Sequence, residues 1–216
     1  MSSRVEKPVI DRPLVIATGN KGKLAEFRNL LKGFQVEIRG LDEVGKIPEV
    51  EEDGNTFEEN ALKKARFTAR VLGLPALADD SGLVVDALDG RPGVFSSRYA
   101  GEQASDAENN EKLLGELAGI ADRRAHFMCV IAVAVPAGPA LIYEGVCQGL
   151  IAEEADGQNG FGYDPLFFFP RAGKTFASMS PDEKNLVSHR GRAMQELKAE
   201  FDKVIIWINQ RLAESP

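Results

Sequence analysis

The chain has 216 residues, 44% of them hydrophobic, with a formal net charge of −7, two cysteines and two histidines. Length and apolar content support a packed core and exclude a disordered chain, while the acidic balance excludes a nucleic-acid surface built on lysine and arginine. No apolar run approaches about 18 residues and the opening MSSRVEKPVIDRP lacks the apolar stretch of a secretory signal, so a cytoplasmic protein without membrane association is expected.

In chain order, the apolar run LVIAT at 14–18 reads as a strand, TGNKGK at 18–23 as the loop after it, and Leu24, Phe27, Leu30 and Leu31 as one face of a helix. Gln35 to Arg39 reads as a second strand and 42–55 as an acidic, irregular loop. Thr56 with Glu59 forms a capping box that opens a helix over 57–72. Two short apolar runs, 76–78 and 83–88, are expected as separate strands with Asp79, Asp80, Ser81 and Gly82 as the turn between them, because short polar side chains and glycine favour turns.

GRPG at 90–93 is a further turn signal, and Ser105 with Glu108 opens a helix to about residue 118. Residues 125–135 and 140–151 pair as a hairpin, which sets Cys129 and Cys147 equally far from its turn as candidate cross-strand neighbours. A disulfide is not expected in a reducing compartment. Residues 157–170 are rich in glycine and aromatics, too apolar at LFFF (166–169) for a surface loop. Ser180, Pro181 and Glu183 start another helix, and a last one over about 191–212 carries Met194, Leu197, Phe201, Ile205, Ile208 and Leu212 on one stripe. The sum is an α/β chain whose lobes share one sheet.

Several segments are candidates for chemistry. TGNKGK sits where a strand feeds a helix, a place that favours anions, and Lys21 and Lys23 add charge; the glycine spacing is not that of a P-loop, and an ordinary turn remains the competing reading. Glu49, Glu51, Glu52 and Asp53 form either a solvated acidic face or, through Glu52 with Asp79 or Asp80, the one or two carboxylates that hold magnesium against phosphates. GFGYDP at 160–165 is either a turn anchored by Phe161 and Tyr163 or a platform for a nucleobase. His189 and Arg190 supply donors, Lys64 and Lys184 could reach a shared polyphosphate, and His126 reads as structural.

Taken together, TGNKGK at 18–23, EEDGNTFEENALKKA at 51–65, LADDSGLVVDALDGRPGVFSSRYAG at 77–101, GFGYDPLFF at 160–168 and DEKNLVSHRGRA at 182–193 resemble the inosine triphosphate pyrophosphatase family, whose members act on dITP and XTP as well. The resemblance implies an elongated mixed β-sheet flanked by helices, with two lobes and a nucleotide cleft between them. It sets residues 1–13 apart as an N-terminal extension of a single domain over 14–216.

It further implies Mg2+-dependent hydrolysis of ITP, dITP and XTP to the monophosphate and pyrophosphate, by a homodimer that cleanses the nucleotide pool. By motif position, Thr18, Gly19, Asn20, Lys21, Gly22 and Lys23 hold the triphosphate. Glu52 and Asp80 serve the metal, with Asp79 able to share a role, and Asp80 is also the catalytic base. Lys64, Ser81, Phe161, Gly162, Tyr163, Asp164, Lys184, His189 and Arg190 are the remaining substrate contacts. The competing readings are a catalytically silent nucleotide-binding regulator and a pyrophosphatase for other modified or ordinary nucleotides on the same scaffold.

Overall fold

The computed structural model describes residues 8–214. The first seven residues of the expected N-terminal extension, and residues 215–216, lie outside the described residues. Ile10 is buried in the core, its N–H donating to the Gln35 carbonyl at 3.2 Å.

A seven-stranded mixed sheet runs in the order β2-β1-β3-β4-β5-β6-β7. Its strands are β1 (Leu14–Ile16), β2 (Ile38–Gly40), β3 (Ala76–Val85), β4 (Arg124–Ala134), β5 (Ala140–Ile151), β6 (Phe167–Phe169) and β7 (Lys174–Thr175). β1 runs parallel to β2 and β3, and every other pairing is antiparallel. The helices are α1 (Lys21–Leu30), α2 (Leu41–Val44), α3 (Phe57–Leu72), α4 (Asp106–Glu116), α5 (Pro181–Val187) and α6 (His189–Glu214). Among the described residues, no helix is long and apolar enough to cross a membrane.

The helix starts follow the expected chemistry. Thr56, Ser105 and Ser180 cap α3, α4 and α5 through their side chains, and Ser105 and Ser180 complete capping boxes with Glu108 and Glu183. The box expected at Thr56 is not closed, because Glu59 Oε2 accepts from the Asn55 N–H at 2.7 Å instead. The final stripe packs as its spacing predicts, with Leu197, Phe201, Ile205 and Ile208 fully buried.

Four further expectations are corrected. The segment 76–85 is one continuous strand, not two joined by a turn: Asp79, Asp80, Ser81 and Gly82 pair in register with Ile131, Val130, Cys129 and Met128. The second strand begins later than expected, at Ile38. Part of the acidic loop is the short helix α2, and Glu43 accepts from the Gly40 N–H at 2.7 Å at its start. Cys129 lies opposite Gly145 and Cys147 opposite Phe127, so the cysteines are displaced from each other in register; both are free and buried.

Alternation along β3 divides its side chains between two faces of the sheet. Leu77, Asp79, Ser81, Leu83 and Val85 face one side, and Ala76, Ala78, Asp80 and Gly82 the other. On the first side Leu77 belongs to a core under α1 and α6, while Leu83 and Val85 belong to a second core with Leu113, Phe167 and Phe176. Asp79 and Ser81 fall between these two cores. On the second side, α3 packs Ala61, Ala65 and Ala69 over Ala76, Ala78, Val130 and Ala132.

Candidate active site

β1 pairs with β3 only at Ala76 and Leu77 and then leaves the sheet for Thr18 and α1. From that point to Leu83, where the segment 90–96 takes over by bonding Leu83 and Val85, this edge of β3 is open. The Leu77 carbonyl accepts from the Ala17 N–H at 2.7 Å and the Leu83 N–H donates to Ser96 Oγ at 2.9 Å, so the odd-numbered residues turn their main-chain groups toward this edge. Asp79, Asp80 and Ser81 occupy the gap, a switch point where strand direction changes and where open α/β sheets take ligands.

A cavity of about 480 Å³ opens there, within the range of small-molecule sites. Of the residues expected at the site, Asn20, Lys23, Ser81, Phe161, Gly162, Tyr163, Asp164, Lys184, His189 and Arg190 line it. Thr18, Gly19, Lys21, Gly22, Lys64, Glu52, Asp79 and Asp80 do not. Glu26, Ser96, Asp106, Asn109 and Asn159 line it without having been expected. Of these, Glu26 carried a usable signal, since it lies three residues after Lys23 and therefore on the same face of α1.

On the α6 side of β3, Asp79 is bound between Lys23 Nζ at 2.8 Å and Arg190 Nη2 at 3.4 Å and is 2% exposed. Burial pushes its pKa up, but the two cations outweigh this and hold it at about 2. Arg190 Nη2 also donates to Ser81 Oγ at 3.2 Å, and Nη1 faces Glu26 at 3.7 Å. His189 stacks on Phe127 with centroids 4.6 Å apart. Burial, and then Arg190 and Lys184, push its pKa well below 6.5, so the imidazole is neutral at physiological pH.

On the α3 side, Asp80 faces Lys64 Nζ at 3.6 Å, and the same ammonium bonds Glu52 at 3.1 Å. Burial raises the Asp80 pKa, Lys64 opposes that rise, and Glu52 adds to it. The acidic loop is tied down beside them: Arg98 Nη2 donates to the Glu52 carbonyl at 3.0 Å, and the Gly54 N–H donates to Asn60 Oδ1 at 2.8 Å. Gly82 is required by close approach rather than by a turn. A Cβ there would collide with Ser96 Oγ, and would lie 2.6 Å from the Gly93 carbonyl and 2.8 Å from the Phe57 ring.

The TGNKGK loop is more self-contained than a bare helix start. Asn20 caps α1 by accepting from the Gly22 and Lys23 N–H groups at 2.8 and 3.2 Å, and Thr18 Oγ1 accepts from the Asn20 N–H at 3.1 Å. Those amides are therefore occupied, and Lys23 brings the loop's charge to the cavity. Lys21 stays at the exposed helix start.

At the opposite wall, Asp164 is buried, accepts from the Phe161 N–H at 3.0 Å and pairs with Lys184. Tyr163 donates to the Ser96 carbonyl at 2.9 Å. Phe161 stays 54% exposed, with Lys184 Nζ 4.9 Å and the Arg190 guanidinium 5.8 Å from its ring centre.

Buried polar atoms without an internal hydrogen-bond partner gather here. Among the described residues, Glu26 Oε2, Asp79 Oδ1, Asp80 Oδ2, His189 Nδ1 and Arg190 Nε are in that state. Such atoms are costly unless something external meets them, so the site is built for a polar ligand.

The model of the Ham1 family matches residues 14–200. The chain belongs to the Ham1 family. It is 63% identical over 201 residues to a dITP/XTP pyrophosphatase of Syntrophobacter fumaroxidans, covering 93% of this chain and 87% of the relative. It is 54% identical over 187 residues to a dITP/XTP pyrophosphatase of Geobacter sulfurreducens, covering 86% and 94%. Among solved structures, the Ham1 protein of Staphylococcus aureus superposes with a TM-score of 0.84 at 43% identity, covering 89% of this chain and 99% of that one. A HAM1 protein from Coxiella burnetii gives 0.85 at 47% identity with the same coverage. These Ham1 structures share the mixed sheet and its flanking helices, as the sequence motifs implied.

Proposed function

We propose that the chain is a nucleoside triphosphate pyrophosphatase that hydrolyses dITP, XTP and ITP to the monophosphate and pyrophosphate. The observation that carries this reading is the open edge of β3. A cavity with three cationic side chains and an aromatic platform lies on one side of the strand, and Asp80 with Glu52 and Lys64 on the other. High identity to dITP/XTP pyrophosphatases over nearly the whole chain supports the same substrate class.

In this reading the base stacks on Phe161 and the phosphates run toward Lys23 and the β3 edge. Hypoxanthine and xanthine present an acceptor at the 6-oxo position, where adenine presents a donor. Lys184, Arg190 and a neutral His189 are donors suited to the oxo group, so adenine would leave buried donors unpaired, a penalty of about a hundred- to 100,000-fold in rate. Asp164 and Asp79 hold Lys184 and Arg190 in place for that task.

The donor set beside Lys64 fits a hard divalent cation. Glu52 and Asp80 supply two carboxylates, the number with which magnesium is commonly held against substrate phosphates, and Asp80 Oδ2 has no internal partner. Asp79 is left out of that set because it faces away and is already bound by two cations. When bound, magnesium supplies charge neutralisation on the phosphate oxygens. Asp80 then orients the attacking water in line with the departing pyrophosphate and accepts its proton. Lys64 and Lys23 stabilise the charge on the leaving group, and the apolar cores on either side limit access of bulk water.

The same reading takes residues 14–216 as one catalytic domain with 1–13 as an extension, acting as a homodimer in the cytoplasm. Free buried cysteines suit a reducing compartment. The test is a panel of dITP, XTP, ITP, GTP, ATP and pyrimidine triphosphates with Mg2+, with pyrophosphate and orthophosphate measured separately. Turnover of the oxo-purine nucleotides with pyrophosphate release is expected. Tight binding without turnover would return the chain to a regulatory role.

A further inference from the structure

α4 reaches across to the loop that presents Phe161 and grips a single residue in it. The Gly162 N–H donates to Asp106 Oδ2 at 2.6 Å, and the Gly162 carbonyl accepts from Asn110 Nδ2 at 2.9 Å. Asp106 and Asn110 are four residues apart and so lie one above the other on one helix face. Gly162 has φ of 62°, a setting glycine adopts without strain. Asn109, beside them, accepts from the Ala100 N–H at 2.7 Å and donates to the Ser97 carbonyl at 3.2 Å. One helix thus holds two loops that border the cavity. The Phe161 ring is more than half exposed, while Tyr163 and Leu166 beyond it are buried in the second core. The loop is therefore anchored by apolar packing on that side and by the polar contacts of Gly162 next to Phe161 itself.

We infer that Asp106 and Asn110 are positioning residues that clamp Gly162 and thereby hold the Phe161 platform in register for the base. This rests on the proposed nucleotide reading, although the clamp itself is a property of the fold. Asp106 lines the cavity whereas Asn110 does not, so an effect shared by both residues travels through Gly162 rather than through contact with the ligand.

The test uses the full chain as Asp106→Ala, Asn110→Ala, the double variant and Asp106→Asn, with amide exchange at Gly162 and steady-state kinetics on dITP as readouts. Losing a hydrogen bond to a charged acceptor predicts a KM for Asp106→Ala raised about ten-fold. Asn110→Ala raises KM by about three-fold or more, and kcat stays within about two-fold in both. Gly162 exchange accelerates in each. Asp106→Asn keeps an acceptor oxygen and recovers most of the lost affinity, and the double variant falls short of the product of the singles because both act on one glycine.

Three results would overturn the inference: Asp106→Asn as impaired as the alanine variant, Asn110→Ala silent while Asp106→Ala is impaired, or unchanged Gly162 exchange in both alanine variants. If Asp106→Ala does not fold, Asp106→Asn and Asn110→Ala carry the comparison. If the parent turns over no purine triphosphate, the nucleotide reading fails, and the exchange measurement alone decides the clamp.

Discussion

Asp79 and Asp80 are adjacent in sequence and point to opposite faces of one strand, Asp79 to Lys23 and Arg190, Asp80 to Lys64 and Glu52. The pair is therefore not a shared carboxylate site. Each keeps one buried oxygen without an internal partner, but Asp79 is neutralised by two cations and braces the cavity, while Asp80 meets a single ammonium that it shares with Glu52. Substituting each should have different consequences.

On the proposed mechanism, Asp80→Asn is expected to abolish turnover while dITP still binds, because it would remove the base and a metal ligand but leave Phe161 and the cations of the cavity in place. Its Tm should not fall, since the buried carboxylate is disfavoured where it stands. Kinetics, calorimetric binding and thermal unfolding check this. Normal turnover would remove Asp80 from the mechanism.

Asp79→Asn is expected to destabilise the fold by roughly 3 kcal/mol, because it takes the counter-charge from Lys23 and leaves the buried Arg190 with only the more distant Glu26 at 3.7 Å. Urea unfolding at pH 7 measures it, and a loss under about 1 kcal/mol contradicts the bracing role. Arg190→Ala should be destabilising for the reciprocal reason, and among the molecules that remain folded the preference for ITP over ATP should narrow.

Gly82→Ala should reduce stability by about 1–3 kcal/mol and lower kcat, because the added methyl pushes β3 away from the Ser96 loop and shifts Asp80 with it. A variant with parental Tm and kcat would show that the contact yields freely.

His189 gives the pH dependence a definite sign. Its folded pKa lies well below the unfolded value of 6.5, so below that pH the unfolded chain gains a proton the folded chain refuses. Stability should therefore fall as pH drops below 6.5, and His189→Gln should flatten that slope. No inflection in kcat/KM near 6.5 should depend on His189. If one disappears with that substitution, the neutral imidazole is wrong.

How much of the fold and the site was legible in the sequence depends on which physical signal was local. Helix starts were, because a cap is written within four residues, as at Thr56, Ser105 and Ser180. The terminal helix was, because its stripe repeats over several turns. β3 was not, because DDSG reads as turn chemistry and only the tertiary setting, a strand crossing a polar cleft between two cores, turns Asp79 and Ser81 into strand residues. The site motifs were visible as segments, but their division between two faces of β3 was not, since a two-residue period is hidden when both neighbours are aspartate. Asp106 and Asn110 were missed for another reason: their partners are main-chain atoms of a glycine 52 or more residues away.

The most direct test is hydrolysis of dITP in 18O-labelled water with Mg2+, followed by mass analysis of both products. Attack at the α-phosphorus puts one labelled oxygen in the monophosphate and none in the pyrophosphate, and Asp80→Asn suppresses both products together. Label in the pyrophosphate, or orthophosphate as the first product, would contradict the account.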